Sequence, residues 1–156
     1  MADQAPVPQQ AIFNLNAYSP AEIKEAVEKV GVKKTSLPLS ASFMLAVVAG
    51  DSIGFGGVYY TIVASDPELS FAVARVFGGL VFCLGLALIL LGGAELFTGN
   101  NLIVMAWASG KVSTQQILRN WLIVYFGNLV GILGIVFLVF LSRQVDITVV
   151  ASEYRY

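Results

Sequence analysis

The sequence predicts an all-α integral membrane protein with three transmembrane helices, the second of which is broken. Its 156 residues are 57% hydrophobic and only 12% charged, whereas soluble domains carry about 25% charged residues. Long apolar segments occupy residues 39–64, 71–108 and 121–141, and each exceeds what is needed to cross ~30 Å of hydrocarbon. Segment 71–108 would form a helix about 57 Å long at about 1.5 Å per residue. It must therefore break.

Composition also excludes several classes of protein. The formal net charge is -1, and this argues against a nucleic-acid partner, which favours a basic surface. The chain has no histidine, and its one cysteine, Cys83, lies in an apolar run. We therefore expect no disulfide framework, no metal site, no cofactor and no enzyme chemistry. Residues 1–10 lack a basic region and an apolar core, so they do not predict a cleavable signal peptide.

The chain divides into four predicted regions. Residues 1–17 read as a disordered tail, 18–37 as an amphipathic cytoplasmic helix with its linker, 38–143 as a three-helix membrane module, and 144–156 as an irregular tail.

The amphipathic helix has a clear predicted start and a predicted end. Ser19 and Glu22 have the spacing of a capping box, with proline between them at the first helical position. Gly31 is expected to end the helix as a C-cap.

The first membrane segment, 39–64, contains an unusual carboxylate. Gly50 and Gly54 have the small-xxx-small spacing of close helix packing. Asp51 stands beside them, where a carboxylate costs ~2.5–3.5 kcal/mol near the centre of a membrane helix. We therefore expect Asp51 to face protein or water, and two interpretations stay open: a pore-lining group or an interhelical hydrogen bond.

The last membrane segment, 121–141, contains no charged residue. Gly127 and Gly131 repeat the small-xxx-small spacing, and Asn128 is an intramembrane amide of the kind that more often joins helices than binds substrate. Lysine and arginine residues cluster before residue 39 and between residues 109 and 120. The positive-inside rule therefore predicts a cytoplasmic N-terminus and three crossings.

The polar break at residues 92–101 predicts an anion site. A helix restarting near Asn100 or Asn101 would present unpaired amide N–H groups and the positive end of its dipole, with Thr98 as a suitable N-cap. An ionised Glu95 would repel an anion. We therefore favour Glu95 as a structural acceptor for loop amides over a transport role.

Three blocks resemble the formate/nitrite transporters, which are pentameric channels with an aquaporin-like protomer. They are residues 82–86 (FCLGL), 93–99 (GAELFTG) and 120–131 (NWLIVYFGNLVG). The resemblance runs from about Tyr18 to Arg143. It implies an aquaporin-like half-protomer whose second helix is split by an Ω-loop at Leu96–Asn101.

The resemblance also implies roles for individual residues. Thr98 would bind the permeating anion, Phe82 would form an outer constriction, and Leu86 and Leu96 would narrow the inner side. The amphipathic helix would be a mobile cytoplasmic gate. The complete set of expected substrate or pore residues is Thr98, Gly99, Asn100, Asn101, Phe82, Leu86, Leu96 and Phe97.

The implied function is transport of small monovalent anions, formate first and nitrite or hydrosulfide as alternatives. The implied setting is a pentamer in a bacterial or archaeal cytoplasmic membrane. The family has six membrane helices in two inverted halves, with a pore histidine in the second half, so we expect this N-terminal half to need a second half-module. The alternatives are a non-conducting scaffold or assembly subunit, and a truncated inactive half.

Overall fold

The computed structural model describes residues 18–66 and 68–143, so the tails predicted at 1–17 and 144–156 lie outside the described residues. Within that part of the chain, every element of regular structure is a helix. The helices are α1 (Pro20–Thr35), α2 (Leu39–Ala64), α3 (Phe71–Gly92), α4 (Phe97–Asn100), α5 (Ile103–Ala108) and α6 (Thr114–Leu141).

The first helix begins where the sequence predicts but ends later. The backbone N–H of Ser19 donates to Glu22 Oε2 at 2.7 Å, and Ser19 Oγ accepts from the Glu22 backbone at 3.4 Å, which completes the capping box. Gly31 does not end the helix, and the prediction of a C-cap there was wrong. A Cβ at Gly31 would lie 3.0 Å from the Cβ of Ala106, so this glycine instead lets α1 pack closely against α5.

Three helices, α2, α3 and α6, are long and apolar enough to cross a membrane. Glycines set the distances between them. A Cβ at Gly50 would overlap the backbone of Asn128, and one at Gly131 would overlap the carbonyl oxygen of Val47, so α2 and α6 touch backbone to backbone. Gly85 brings α3 equally close to the other side of α2. The helix α2 therefore stands between α3 and α6.

The break follows α3 but differs in detail from the prediction. Gly93 ends α3 in the left-handed region, with φ 61°, a conformation that glycine adopts at little cost. Helical structure resumes earlier than the predicted Asn100 or Asn101, in the four-residue α4, and α5 begins only at Ile103. Thr98 lies inside α4, and the N-cap position belongs to Leu96. These short helices supply little of the dipole on which the predicted anion site depended.

Candidate functional site

A buried polar network holds the break in place. Asn100 is fully buried, and its side-chain amide donates to Glu95 Oε2 at 2.7 Å and to Asn120 Oδ1 at 2.9 Å. Lys34, in the last turn of α1, donates to Glu95 Oε1 and to Asn100 Oδ1, both at 2.9 Å. Trp121 Nε1 donates to the carbonyl of Asn100 at 3.2 Å. The network thus joins α1, the break and α6.

Asn128 fixes the start of the break from the other side. Its side-chain nitrogen donates to the carbonyls of Ala46 at 2.8 Å and of Glu95 at 3.0 Å. Its Oδ1 accepts the backbone N–H of Phe97 at 2.9 Å. The side-chain amide of Asn128 therefore satisfies backbone groups of α2 and of the loop that follows α3. By accepting the Phe97 N–H it also caps the start of α4, a role that the sequence analysis suggested for Thr98.

The carboxylate of Glu95 accepts hydrogen bonds from the side chains of Lys34 and Asn100. The sequence analysis instead favoured backbone amides of the loop as its donors. Those amides are satisfied elsewhere: the Glu95 N–H donates to the carbonyl of Leu45 at 3.2 Å, and the Asn100 N–H to that of Leu96 at 2.9 Å. Glu95 is only 4% exposed, so its charge requires a partner. The Lys34 ammonium supplies that partner, and it also weakens the repulsion that Glu95 would exert on an anion nearby.

An inner cavity of about 580 Å³ opens between α1, α3 and the break. Four of the predicted pore residues line it together: Leu86, Leu96, Thr98 and Gly99. Lys34 lines it too, beside the apolar face of α1. The structure thus brings Thr98, Lys34 and two leucines to one concave surface.

The remaining predicted pore residues lie elsewhere. Phe82 lines a second cavity of about 740 Å³ between α2, α3 and α6, one helical turn from Leu86. The ring of Phe97 packs edge-on against Tyr125 at 5.7 Å between centroids. Asn100 belongs to the buried network, and Asn101 is exposed outside both cavities. The eight residues are therefore not one contiguous lining.

Asp51 is half-buried in α2 and leans toward α6. Its Oδ1 lies 3.6 Å from the point where a Cβ of Gly134 would stand. Within residues 18–66 and 68–143, no side-chain hydrogen bond or ion pair involves this carboxylate. Asp51 lines neither of the two cavities described above.

A second ion pair holds α1 at its middle. Glu28 is 4% exposed and accepts from Lys111 Nζ at 2.6 Å and from the hydroxyl of Ser109. Lys24 lies 3.7 Å away. The hydrogen bonds from Lys111 and Ser109 hold the pKa of the Glu28 carboxyl below its ordinary value. We call Glu28, Ser109 and Lys111 the helix clamp.

Sequence reasoning missed Lys34, Asn120 and Glu28 as parts of these networks. The lysine entered the sequence analysis only through the positive-inside rule, and Glu28 was not singled out there. Glu95 did carry a usable signal, because a carboxylate inside an apolar segment needs a cation nearby.

Comparison with known proteins identifies the family. The profile of the formate/nitrite transporters matches residues 21–154. The chain belongs to this family. It is 43% identical over 126 residues to the formate channel FocA of Escherichia coli K12, covering 80% of this chain and 44% of that relative. It is 37% identical to the uncharacterized transporter YrhG of Bacillus subtilis, covering 83% of this chain and 48% of the relative.

Two further comparisons extend the similarity. A formate-nitrite transporter of Entamoeba histolytica is 30% identical over 128 residues, with 81% of this chain and 36% of the relative covered. A solved structure described as a pentameric formate channel with formate bound superposes with a TM-score of 0.62 at 45% identity, over 68% of this chain and 42% of that one. The chain thus spans less than half the length of these relatives, which are described as channels and transporters.

Proposed function

We propose that this chain forms one wall of a membrane channel for small monovalent anions, with formate as the first substrate and nitrite and hydrosulfide as the others. The observation that carries the proposal is the placement of Thr98 on the inner cavity beside Leu86 and Leu96. The relatives described as formate channels support the choice of substrate.

In this proposal the segment Leu96–Asn101 acts as an Ω-loop that presents the Thr98 hydroxyl to a passage lined mainly by apolar side chains. The Thr98 hydroxyl donates a hydrogen bond to the anion, and Gly99 leaves room for its approach. Lys34 adds positive charge to the same cavity. Leu86 and Leu96 narrow the passage, which favours small ions over hydrated ones because little space remains for water.

The outer part of the passage begins at Phe82. This residue lies one turn from Leu86 along α3 and lines the second cavity, of about 740 Å³. The passage then runs from an aromatic constriction through leucines to the loop. The distribution of lysines supports a cytoplasmic N-terminus, and the bacterial relatives support a bacterial cytoplasmic membrane.

The wall that faces this loop comes from a second half-module, and the complete channel is a homo-oligomer, with a pentamer as the first candidate. The superposed solved structure, described as pentameric, supports this assembly. The helix α1 covers the inner cavity from the cytoplasmic side, where it is held by Lys34 and by the helix clamp. It therefore occupies the position that a gate requires.

Formate-driven swelling of proteoliposomes, followed by stopped-flow light scattering, tests this proposal. We expect the purified chain to confer formate permeability that rises with the protein-to-lipid ratio, and we expect Thr98→Ala to change the rate. The matched control is Gln115→Ala, at an exposed position in the first turn of α6. Unchanged flux in Thr98→Ala beside an active parent protein would remove Thr98 from the mechanism.

The second candidate is a non-conducting membrane scaffold, and one observation favours it. The buried side chains of Glu95, Asn100, Asn120 and Asn128 bond to one another, to Lys34 and to backbone groups, which is what a packing device requires. A scaffold predicts no formate, nitrite or hydrosulfide permeability at any protein-to-lipid ratio. Permeability that scales with that ratio would exclude it.

A further inference from the structure

Two aromatic residues of α6 contact the residues on both sides of Thr98. Trp121 and Tyr125 lie four residues apart, so they share one face of α6. The ring of Phe97 stands edge-on to both, at 6.4 Å from the Trp121 ring and 5.7 Å from the Tyr125 ring between centroids. The indole N–H of Trp121 also donates to the backbone carbonyl of Asn100 at 3.2 Å. The residue before Thr98 and the residue two positions after it are therefore both held by α6.

The orientation of Thr98 depends on these flanking residues. Thr98 lies in α4, which is a single turn of four residues, and a helix this short is not stable by itself. Residues three apart lie on the same side of a helical turn, so Phe97 and Asn100 can both face α6. Thr98 and Gly99 are then left on the other side, where they line the inner cavity.

The indole of Trp121 is a well-placed anchor for this turn. It packs against the buried apolar cluster around the turn between α5 and α6, formed by Ile103, Ala106, Val112 and Ile117. An indole has one N–H donor and no acceptor, so the packing of the ring also sets the direction of its hydrogen bond. Edge-to-face ring contacts are directional in the same way. The position of the α4 turn therefore follows from the position of α6.

We propose that Trp121 and Tyr125, which we call the aromatic pair, are positioning residues for the anion site. Through the Phe97 ring and the Asn100 carbonyl, they hold the α4 turn so that Thr98 faces the inner cavity. This inference rests on the role proposed above for Thr98 in binding formate. The buried polar network holds the side chain of Asn100, whereas the aromatic pair holds the ring and the backbone that turn Thr98 toward the cavity.

The substitution Trp121→Phe removes the indole N–H and keeps an aromatic ring. We expect the formate concentration that half-saturates flux into proteoliposomes to rise about 2- to 10-fold, as the loss of one hydrogen bond predicts. Trp107→Phe is the matched control, because the indole N–H of Trp107 donates to Thr114 Oγ1 at 3.0 Å and not to the loop. An unshifted half-saturation in Trp121→Phe, or equal shifts in the two variants, would overturn the proposal.

Combination with Thr98→Val separates positioning from packing. A positioning residue acts through the Thr98 hydroxyl, so Trp121→Phe should cause no further shift of half-saturation once that hydroxyl is absent. A residue that merely fills space would produce the same shift with and without the hydroxyl. That additive result would overturn the proposal.

Two substitutions at Tyr125 decide the matter independently, including the case in which Trp121→Phe does not reach the oligomer mass of the parent chain. Tyr125 is 52% exposed, so replacing it disturbs little buried packing. Tyr125→Leu removes the ring that meets Phe97 and should raise half-saturation, whereas the conservative variant Tyr125→Phe should recover most of the parent's affinity. Equal values in the two variants would overturn the proposal.

Failure of the proposed function has a different signature. A parent chain without formate flux, or a Thr98→Val variant with the parent's half-saturation, would overturn the role of Thr98 and this inference together. A parent chain whose flux depends on Thr98 but not on the aromatic pair would overturn this inference alone.

Discussion

Two buried glutamates of this chain are each bonded to a lysine and to a neutral side chain, but they stand in different surroundings. Glu95 lies inside the broken segment, and its partner Lys34 is 23% exposed. Glu28 lies on the helix clamp, and its partner Lys111 is 47% exposed. The Glu95 pair also bonds to Asn100, which in turn bonds to Asn120. Among the residues that the structure describes, the Glu28 pair is joined by the Ser109 hydroxyl and by Lys24.

This difference separates two tasks. The Glu95 pair is part of a connected network, so it fixes the backbone that presents Thr98 to the inner cavity. The Glu28 pair joins α1 to the turn between α5 and α6, so it fixes a helix and not a loop. The same chemistry therefore stabilises a loop that lines a cavity in one place and a docked helix in the other.

The largest expected effect on the free energy of unfolding comes from replacing Lys34, and replacing Lys111 gives the comparison. Lys34→Ala leaves Glu95 buried without a cation. Loss of one partner of a buried pair costs about 3–5 kcal/mol, and we expect about 2–3 kcal/mol here because Lys34 is partly exposed. Lys111→Ala should cost less, because water reaches its site more easily. Equal losses in the free energy of unfolding, measured by denaturant titration in detergent, would contradict the distinction.

A smaller loss is expected from Asn128→Ala, which tests whether the loop depends on its network. The substitution leaves the Phe97 N–H and the Ala46 and Glu95 carbonyls without their side-chain partner, at about 1–3 kcal/mol for each buried group left unpaired. Some relaxation of the loop should keep the total near 2 kcal/mol. The matched control Asn101→Ala changes an exposed amide and should stay within about 0.5 kcal/mol. Similar values for the two variants would show that the loop does not need Asn128.

The smallest effect is the pH dependence that the helix clamp contributes to the docking of α1. The pKa of Glu28 is lowered in the docked state, so docking is favoured when the carboxylate is ionised. That contribution is complete above the ordinary glutamate pKa of about 4.3 and is lost as the pH falls through the lowered value. Hydrogen exchange of α1, corrected for intrinsic rates, should therefore accelerate below that range.

The Glu28→Gln variant is the control for this pH dependence. It should exchange faster in α1 than the parent at neutral pH and show a smaller acid acceleration, because Glu22 and Glu25 of the same helix also have lowered pKa values and keep their own acid response. An acid response in Glu28→Gln as large as that of the parent would assign the effect to Glu22 or Glu25 instead.

The sequence predicted the three membrane helices, the break between residues 92 and 101, and the capping box of α1, since these depend on local spacing and on segment length. Thr98, Leu86 and Leu96, to which the resemblance assigns roles in the pore, line one cavity, and those roles stay predictions. The partners of Glu95 were not predictable from spacing, because Lys34 is 61 residues away in sequence. Gly31 was misread because a glycine in a close helix contact has the same local signature as a C-cap.

The proposed function requires the loop network to hold Thr98 on the inner cavity, where we propose that its hydroxyl binds the permeating anion. Formate flux into proteoliposomes, compared among the parent chain, Thr98→Ser and Thr98→Val, tests it most directly, because serine keeps the hydroxyl and valine keeps the shape. We expect Thr98→Ser to retain most of the flux and Thr98→Val to lose at least about tenfold, the equivalent of roughly 1.4 kcal/mol for one hydrogen bond. Equal flux in all three proteins, at equal oligomer mass, would contradict the claim.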